Sequence, residues 1–291
     1  MRTKVCCVLL LLALHCSAWA SRQVQDETGR TVTVPDRVAR VVSLAPSLTD
    51  TMYALGASDI LVGITDYTDY PPDARRQKRS VGAVINPSVE TIVTLHPDLV
   101  LALPDFNGPE TISSLRRLGI PVALFTTGNI ENIFRTINIV GRLLNREPAA
   151  TALIAQLRER LNKIRAQSAG RPKIAVLLVL SLDPFITAGK NAFMTEMIED
   201  AGARSVTDDM KQDWLRLNVE AILERKPDYI LLMKNGPVNL QDMQQRAGWR
   251  TLAAVEHGHV IMVDDSIQIP APVGFDGLED LARQIQAVQA K

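Results

Sequence analysis

One phrase occurs twice in this chain. VETIVTLHPDLVL fills positions 89–101 and VEAILERKPDYIL fills 219–231, and six of the thirteen positions agree. Each copy reads as a short helix, a Pro-Asp break and an apolar strand. Two such units, 130 positions apart in 291 residues, predict two related lobes instead of a single core.

A cap residue stands two positions before a glutamate in each copy: Ser88 before Glu90, and Asn218 before Glu220. Both glutamates are therefore expected in a first helical turn, where the helix dipole stabilises a carboxylate by about 0.3–1 kcal/mol. That effect accounts for each glutamate singly. It accounts less well for the same glutamate in two lobes that otherwise diverge. Twin carboxylates on one face of a pseudo-symmetric molecule suit a dimeric partner with basic pockets.

The surrounding pattern predicts an α/β fold, two Rossmann-like lobes with parallel sheets joined by one long rigid helix. A hairpin over 21–34 comes first. Strands near 40–44, 60–64, 99–103 and 122–125 alternate with helices over 48–55, 88–95 and 109–118. Pro148 suits a helix start and Gly170 a position just past its end. Between them Ala150, Leu153, Ile154, Leu157, Leu161 and Ile164 make one apolar stripe, on a rod of roughly 30 Å. The alternation then restarts, with strands at 173–180, 229–233 and 259–263 and helices at 191–201, 219–226, 240–254 and 276–289. The expected divisions are an N-terminal lobe over 21–146, a bridging helix over 147–169 and a C-terminal lobe over 170–291.

Residues 1–20 read as a secretory signal peptide. Arg2 and Lys4 precede a short apolar run, and Ala18-Trp19-Ala20 offers a cleavage site near Ala20. Cys16 invites a lipid anchor, but His15 fits that processing poorly. All three cysteines (Cys6, Cys7, Cys16) fall in this segment, so the mature chain has no thiol for catalysis, a disulfide or a metal. Without Arg2 and Lys4 the 32 basic residues become 30, against 32 acidic. A near-neutral chain offers no field for nucleic acid. A soluble monomer in the periplasm is expected.

The run DRVARVVSLAPSLTDTMYALGASDILVGITDYTDYPPDA, followed by VGAVINPSVETIVTLHPDLVLAL, resembles the exported substrate-binding proteins of iron-complex and vitamin B12 ABC transporters. The TDYTDYPP segment looks most like the cobalamin-binding branch. The resemblance implies a helical-backbone clamp with a ligand between the lobes and only modest opening. It also implies that Glu90 and Glu220 dock onto arginines of an ABC permease dimer, which works with ATPase subunits. The transported ligand would be a corrinoid, with no catalytic residue, resident metal or cofactor. Cobalamin binders of this group can place a tryptophan six residues before the docking glutamate. Trp214 stands there before Glu220, but the equivalent position before Glu90 is Val84.

In open α/β sheets ligands sit beyond the carboxyl ends of the strands. The expected ligand-binding residues are therefore Pro46, Ser47, Tyr67, Phe106, Phe185 and Trp214. Aromatic walls with a few polar anchors suit a flat macrocycle. Haem or a ferric siderophore is the alternative ligand, with Tyr67 or Tyr70 able to ligate haem iron. His96, His257 and His259 sit in connectors, which disfavours a zinc carrier. Ferric siderophores favour clustered arginines, and the expected cleft loops have none. An exported enzyme would want a G-x-S-x-G, P-loop or H-E-x-x-H motif, and the chain has none. A sensor module would need a spanning segment or a fused signalling domain.

Overall fold

The computed structural model describes residues 21–290, so the expected signal peptide and Cys16 lie outside it. Among the described residues no helix is long and apolar enough to cross a membrane. A hairpin of β1 (Ser21–Gln25) and β2 (Thr31–Pro35) opens the chain. Its turn is fixed by Asp26, whose carboxylate accepts from the Thr28 and Arg30 amides and from the Leu124 amide of the first lobe.

The first lobe then runs β3 (Val41–Ser43), α1 (Pro46–Ala54), β4 (Leu61–Ile64), α2 (Ala74–Gln77), β5 (Arg79–Ser80), α3 (Val89–Thr94), β6 (Leu99–Ala102), α4 (Pro104–Asn107), α5 (Pro109–Arg117), β7 (Val122–Leu124) and α6 (Ile130–Leu143). Its sheet is parallel, in the order β5-β4-β3-β6-β7. The long helix α7 (Glu147–Ser168) follows. The second lobe comprises β8 (Ile174–Val179), β9 (Ser181–Leu182), β10 (Phe185–Ala188), α8 (Phe193–Asp200), β11 (Ala203–Ser205), β12 (Trp214–Arg216), α9 (Glu220–Leu223), β13 (Tyr229–Met233), α10 (Leu240–Gln245), α11 (Ala253–Glu256), β14 (Val260–Val263) and α12 (Gly274–Gln289). Its main sheet is also parallel, β11-β8-β13-β14, and a small antiparallel sheet β12-β10-β9 stands beside it.

The repeated phrase makes the same joint in both lobes. Ser88 Oγ accepts from the Thr91 amide at 3.1 Å, and Asn218 Oδ1 from the Ala221 amide at 3.0 Å. Ile92 and Ile222 are fully buried below their sheets. His96 and Lys226, each just before the proline, both take a left-handed φ of 45°. The Asp98 carboxylate then accepts from the Ala39 and Arg40 amides, and that of Asp228 from the Ala175 amide. Each aspartate thus ties its own strand to the start of the neighbouring central strand. Five of the six shared residues have a part in backbone or packing, and only the glutamate is left without one.

The long helix lies against both lobes. Ala150, Leu157, Leu161 and Ile164 are buried, while Leu153 and Ile154 are partly so. One apolar cluster runs from the hairpin through α1, α6 and α7 to α8 and α12. Arg158 bonds Glu131 of α6, Arg160 bonds Asp276 and Glu279 of α12, and Arg165 bonds Asp200 of α8. Two local expectations need correction. The 240–254 helix is broken into α10 and α11, because Gly248 takes a φ of 80° that no helix continues. The expected run from 173 to 201 omits the β9–β10 strands, whose short apolar stretches hide in a longer one.

Candidate functional site

A cleft of about 410 Å³ separates the carboxyl ends of the two parallel sheets. The first lobe lines it with Ala45, Pro46, Ser47, Val84, Ile85, Leu103, Phe106, Thr127 and Gly128. The second lobe contributes Asn191 to Met194, Asp213, Trp214 and Gln268 to Pro270. The lining is mainly apolar, with uncharged donors and acceptors from Ser47, Thr127, Asn191 and Gln268. Among the described residues Asp213 is its one ionisable lining residue, and neither lysine nor arginine lines it.

Of the six residues expected at the ligand, four line this cleft. Pro46 and Ser47 lie in the first turn of α1, where the chain turns out of β3. Phe106 on α4 and Trp214 on β12 are 43% and 55% exposed, so both rings present apolar surface to the cleft. Tyr67 follows β4 with a left-handed φ of 60° and is 73% exposed, but it forms no wall of the cleft. Phe185 is a correction. Its ring is buried in the second-lobe core, edge-on to Trp249 at 4.8 Å, because β10 turns that side inward. Tyr70 likewise forms no wall of the cleft. It faces Asp264 and Asp265, and burial together with these carboxylates pushes its phenol above the usual range.

Several supporting residues gave no sequence signal. Asn107 is fully buried at the end of α4 and donates to the Leu44 and Val84 carbonyls, both at 2.9 Å, while accepting from the Leu103 amide. One side chain therefore fixes three cleft loops. In the second lobe the 189–191 loop is laced by backbone bonds to 210–213, which sets Trp214 in place. A Cβ on Gly189 would lie 2.4 Å from the Gln212 carbonyl, so that close approach admits only glycine. An asparagine inside an apolar run, or a glycine before a lysine, reads locally as an ordinary turn residue.

Glu90 and Glu220 are exposed in the first turns of α3 and α9. Each helix runs back against the strand that follows it, so its N-terminus lies at the carboxyl edge of its sheet. Both glutamates therefore stand on the edge that bears the cleft. Val84 and Trp214, each six residues before its glutamate, both line the cleft from opposite lobes.

The model of the periplasmic binding protein family matches residues 41–267. This chain belongs to that family. An uncharacterised ABC transporter substrate-binding lipoprotein of Bacillus subtilis is 30% identical over 270 residues, covering 90% of this chain and 84% of that protein. The vitamin B12-binding protein of Vibrio cholerae is 28% identical over 257 residues, covering 88% and 92%. The crystal structure of periplasmic vitamin B12 binding protein BtuF from V. cholerae superposes with a TM-score of 0.76 at 26% identity, over 87% of this chain and 99% of that one. The periplasmic heme-binding protein RhuT from Roseiflexus sp. RS-1 gives a TM-score of 0.79 at 23% identity, over 87% and 99%, and shares the fold. The family is a class of binding proteins, and an ABC importer is its partner system.

Proposed function

We propose that this protein captures a corrinoid in the interlobe cleft and delivers it to an ABC importer from the periplasm. The observation that carries the reading is the makeup of the cleft walls, in a chain 28% identical over 88% of its length to a vitamin B12-binding protein. Trp214 and Phe106 offer flat apolar faces to a macrocycle, and such burial contributes about 25 cal/mol per Å² of apolar surface removed from water. Ser47, Asn191 and Gln268 match the uncharged amides around a corrin rim. Haem carries two carboxylates that would need cationic partners, and the lining has none while it does contain Asp213. Neither Tyr67 nor Tyr70, the tyrosines able to ligate haem iron, lines these walls.

Delivery is read from Glu90 and Glu220. They are exposed, equivalent and at the cleft edge, which suits docking onto the two halves of a permease dimer with the bound ligand facing it. The signal-like segment at 1–20 supports export with cleavage near Ala20, and the protein acts as a monomer that meets its permease in transit. The ligand is cargo and leaves unchanged. Calorimetric titration of residues 21–291 with cobalamin, cobinamide, haem and ferric siderophores tests the ligand. Sub-micromolar binding of a corrinoid is expected. No heat with either corrinoid, or tighter binding of haem, would overturn the assignment.

A further inference from the structure

Where the lobes meet below the cleft, two carboxylates cross from one to the other. Asp50 of α1 accepts from the Val273 amide at 2.9 Å, at the N-terminus of α12 in the second lobe. Glu196 of α8 accepts from the Ile130 amide at 2.7 Å, at the first residue of α6 in the first lobe. These positions are equivalent. Each lies six residues before a glycine that ends its helix, Gly56 for Asp50 and Gly202 for Glu196. Helices α1 and α8 each lead into the strand beside their central strand, β4 and β11. The helices they cap are equivalent too, since α6 follows the last strand of its sheet and α12 follows the last strand of the other. Phe134 of α6 and Phe275 of α12 meet between them with ring centroids 5.9 Å apart.

We propose that Asp50 and Glu196 are a matched pair of cross-lobe latches, each capping a helix of the opposite lobe, and that together they set the separation of the cleft walls. Amides in the first turn of a helix have no partner of their own, so a carboxylate from the other lobe satisfies one and also meets the positive end of the helix dipole. Pulling the lobes apart breaks both bonds at once and leaves a part-buried amide without its partner at each end. α1 also carries Pro46 and Ser47, and α8 carries Phe193 and Met194, so a shift of either latch moves a cleft wall directly.

Burial pushes the Asp50 carboxyl up to about 6 against the pull of the Val273 amide, with Asp276 of α12 adding a like charge. Burial likewise raises Glu196, opposed by the Ile130 amide and with Asp200, Arg165 and Glu131 facing it. In an opened clamp both groups would be hydrated and return toward ordinary values. Protons therefore bind the latched state more tightly, and acid tightens the clamp.

The described residues contain no cysteine, so spin labels on Asp105→Cys and Lys211→Cys report the span between the lobes without interference. Pulsed electron resonance on the ligand-free protein is expected to give one narrow distance distribution. It should broaden toward longer distances in Asp50→Ala and Glu196→Ala, most in the double variant, and narrow in wild type as pH falls from 7 to 5. Asp50→Asn with Glu196→Gln keeps an acceptor oxygen at each site while removing the titratable proton, so it should keep the narrow distribution and lose the pH response. An unchanged distribution in the double alanine variant, or an unchanged pH response in the amide pair, overturns the latches. Because cyanocobalamin capture is a separate reading, its affinity is measured afterwards on the same variants, and a loss of about tenfold is expected. The distance measurement stands even if the ligand is another molecule.

Discussion

The two lobes share a scaffold and differ in the surfaces they turn to the cleft. Both build a parallel sheet around a central strand, and both tie that strand through the Pro-Asp joint of the repeated phrase. The first lobe makes its wall from loops at strand ends, pinned by Asn107. The second inserts the antiparallel β12-β10-β9 sheet and mounts Trp214 on it, opposite the small Val84. What is repeated holds the clamp together or faces outward, and what diverges lines the cleft. On the proposed function, a dimeric permease would call for symmetry, whereas a corrinoid with two unlike faces would call for unlike walls.

The largest expected effect tests the symmetric part. Glu90→Ala with Glu220→Ala should abolish uptake in a transport assay while calorimetric affinity stays within about twofold, because rim charges govern partner choice and encounter. Normal transport by the double variant would leave the shared glutamates without a role.

Next comes the pin peculiar to the first lobe. Asn107→Leu strands the Leu44 and Val84 carbonyls and the Leu103 amide, and should cost about 3 kcal/mol in denaturant unfolding. Loss of under about 1 kcal/mol would mean the loops hold themselves.

Asp50 sets the third effect. Its folded value of about 6 lies above the ordinary 3.8, so the folded protein holds this proton more tightly than the unfolded chain. The stability it contributes is full below about pH 4 and is lost as pH rises through about 6. Relative to Asp50→Asn, wild type should lose about 2 kcal/mol between pH 4 and 7 by thermal unfolding. A constant gap would show that Asp50 is not charged and buried as described.

The smallest effects lie in the cleft. Trp214→Ala should weaken corrinoid binding about 10- to 100-fold, as removal of a central aromatic anchor does. Val84→Ala should change it less than about threefold, and equal losses at both would erase the asymmetry of the walls.

The symmetric half of this account was legible in the sequence, because a repeated phrase, a helical stripe and strand-end breaks are local patterns. Pro46, Ser47, Phe106 and Trp214 could be placed at the cleft since strand ends and glutamate spacing locate them. Phe185 could not, because which face of β10 turns inward is settled by Trp249, more than sixty positions away. Asn107, Asp50 and Glu196 were silent for the same reason. Their partners lie on other strands or in the other lobe, and nothing within a few residues marks them.

The central claim is that the cleft between unlike walls holds a corrin ring. Cobalt scatters anomalously, so crystals grown with cobinamide would locate the ring by one strong peak. The account predicts that peak between Trp214 and the Pro46–Phe106 wall. A peak elsewhere, such as beside His257 and His259 on the far side of the second lobe, would contradict it.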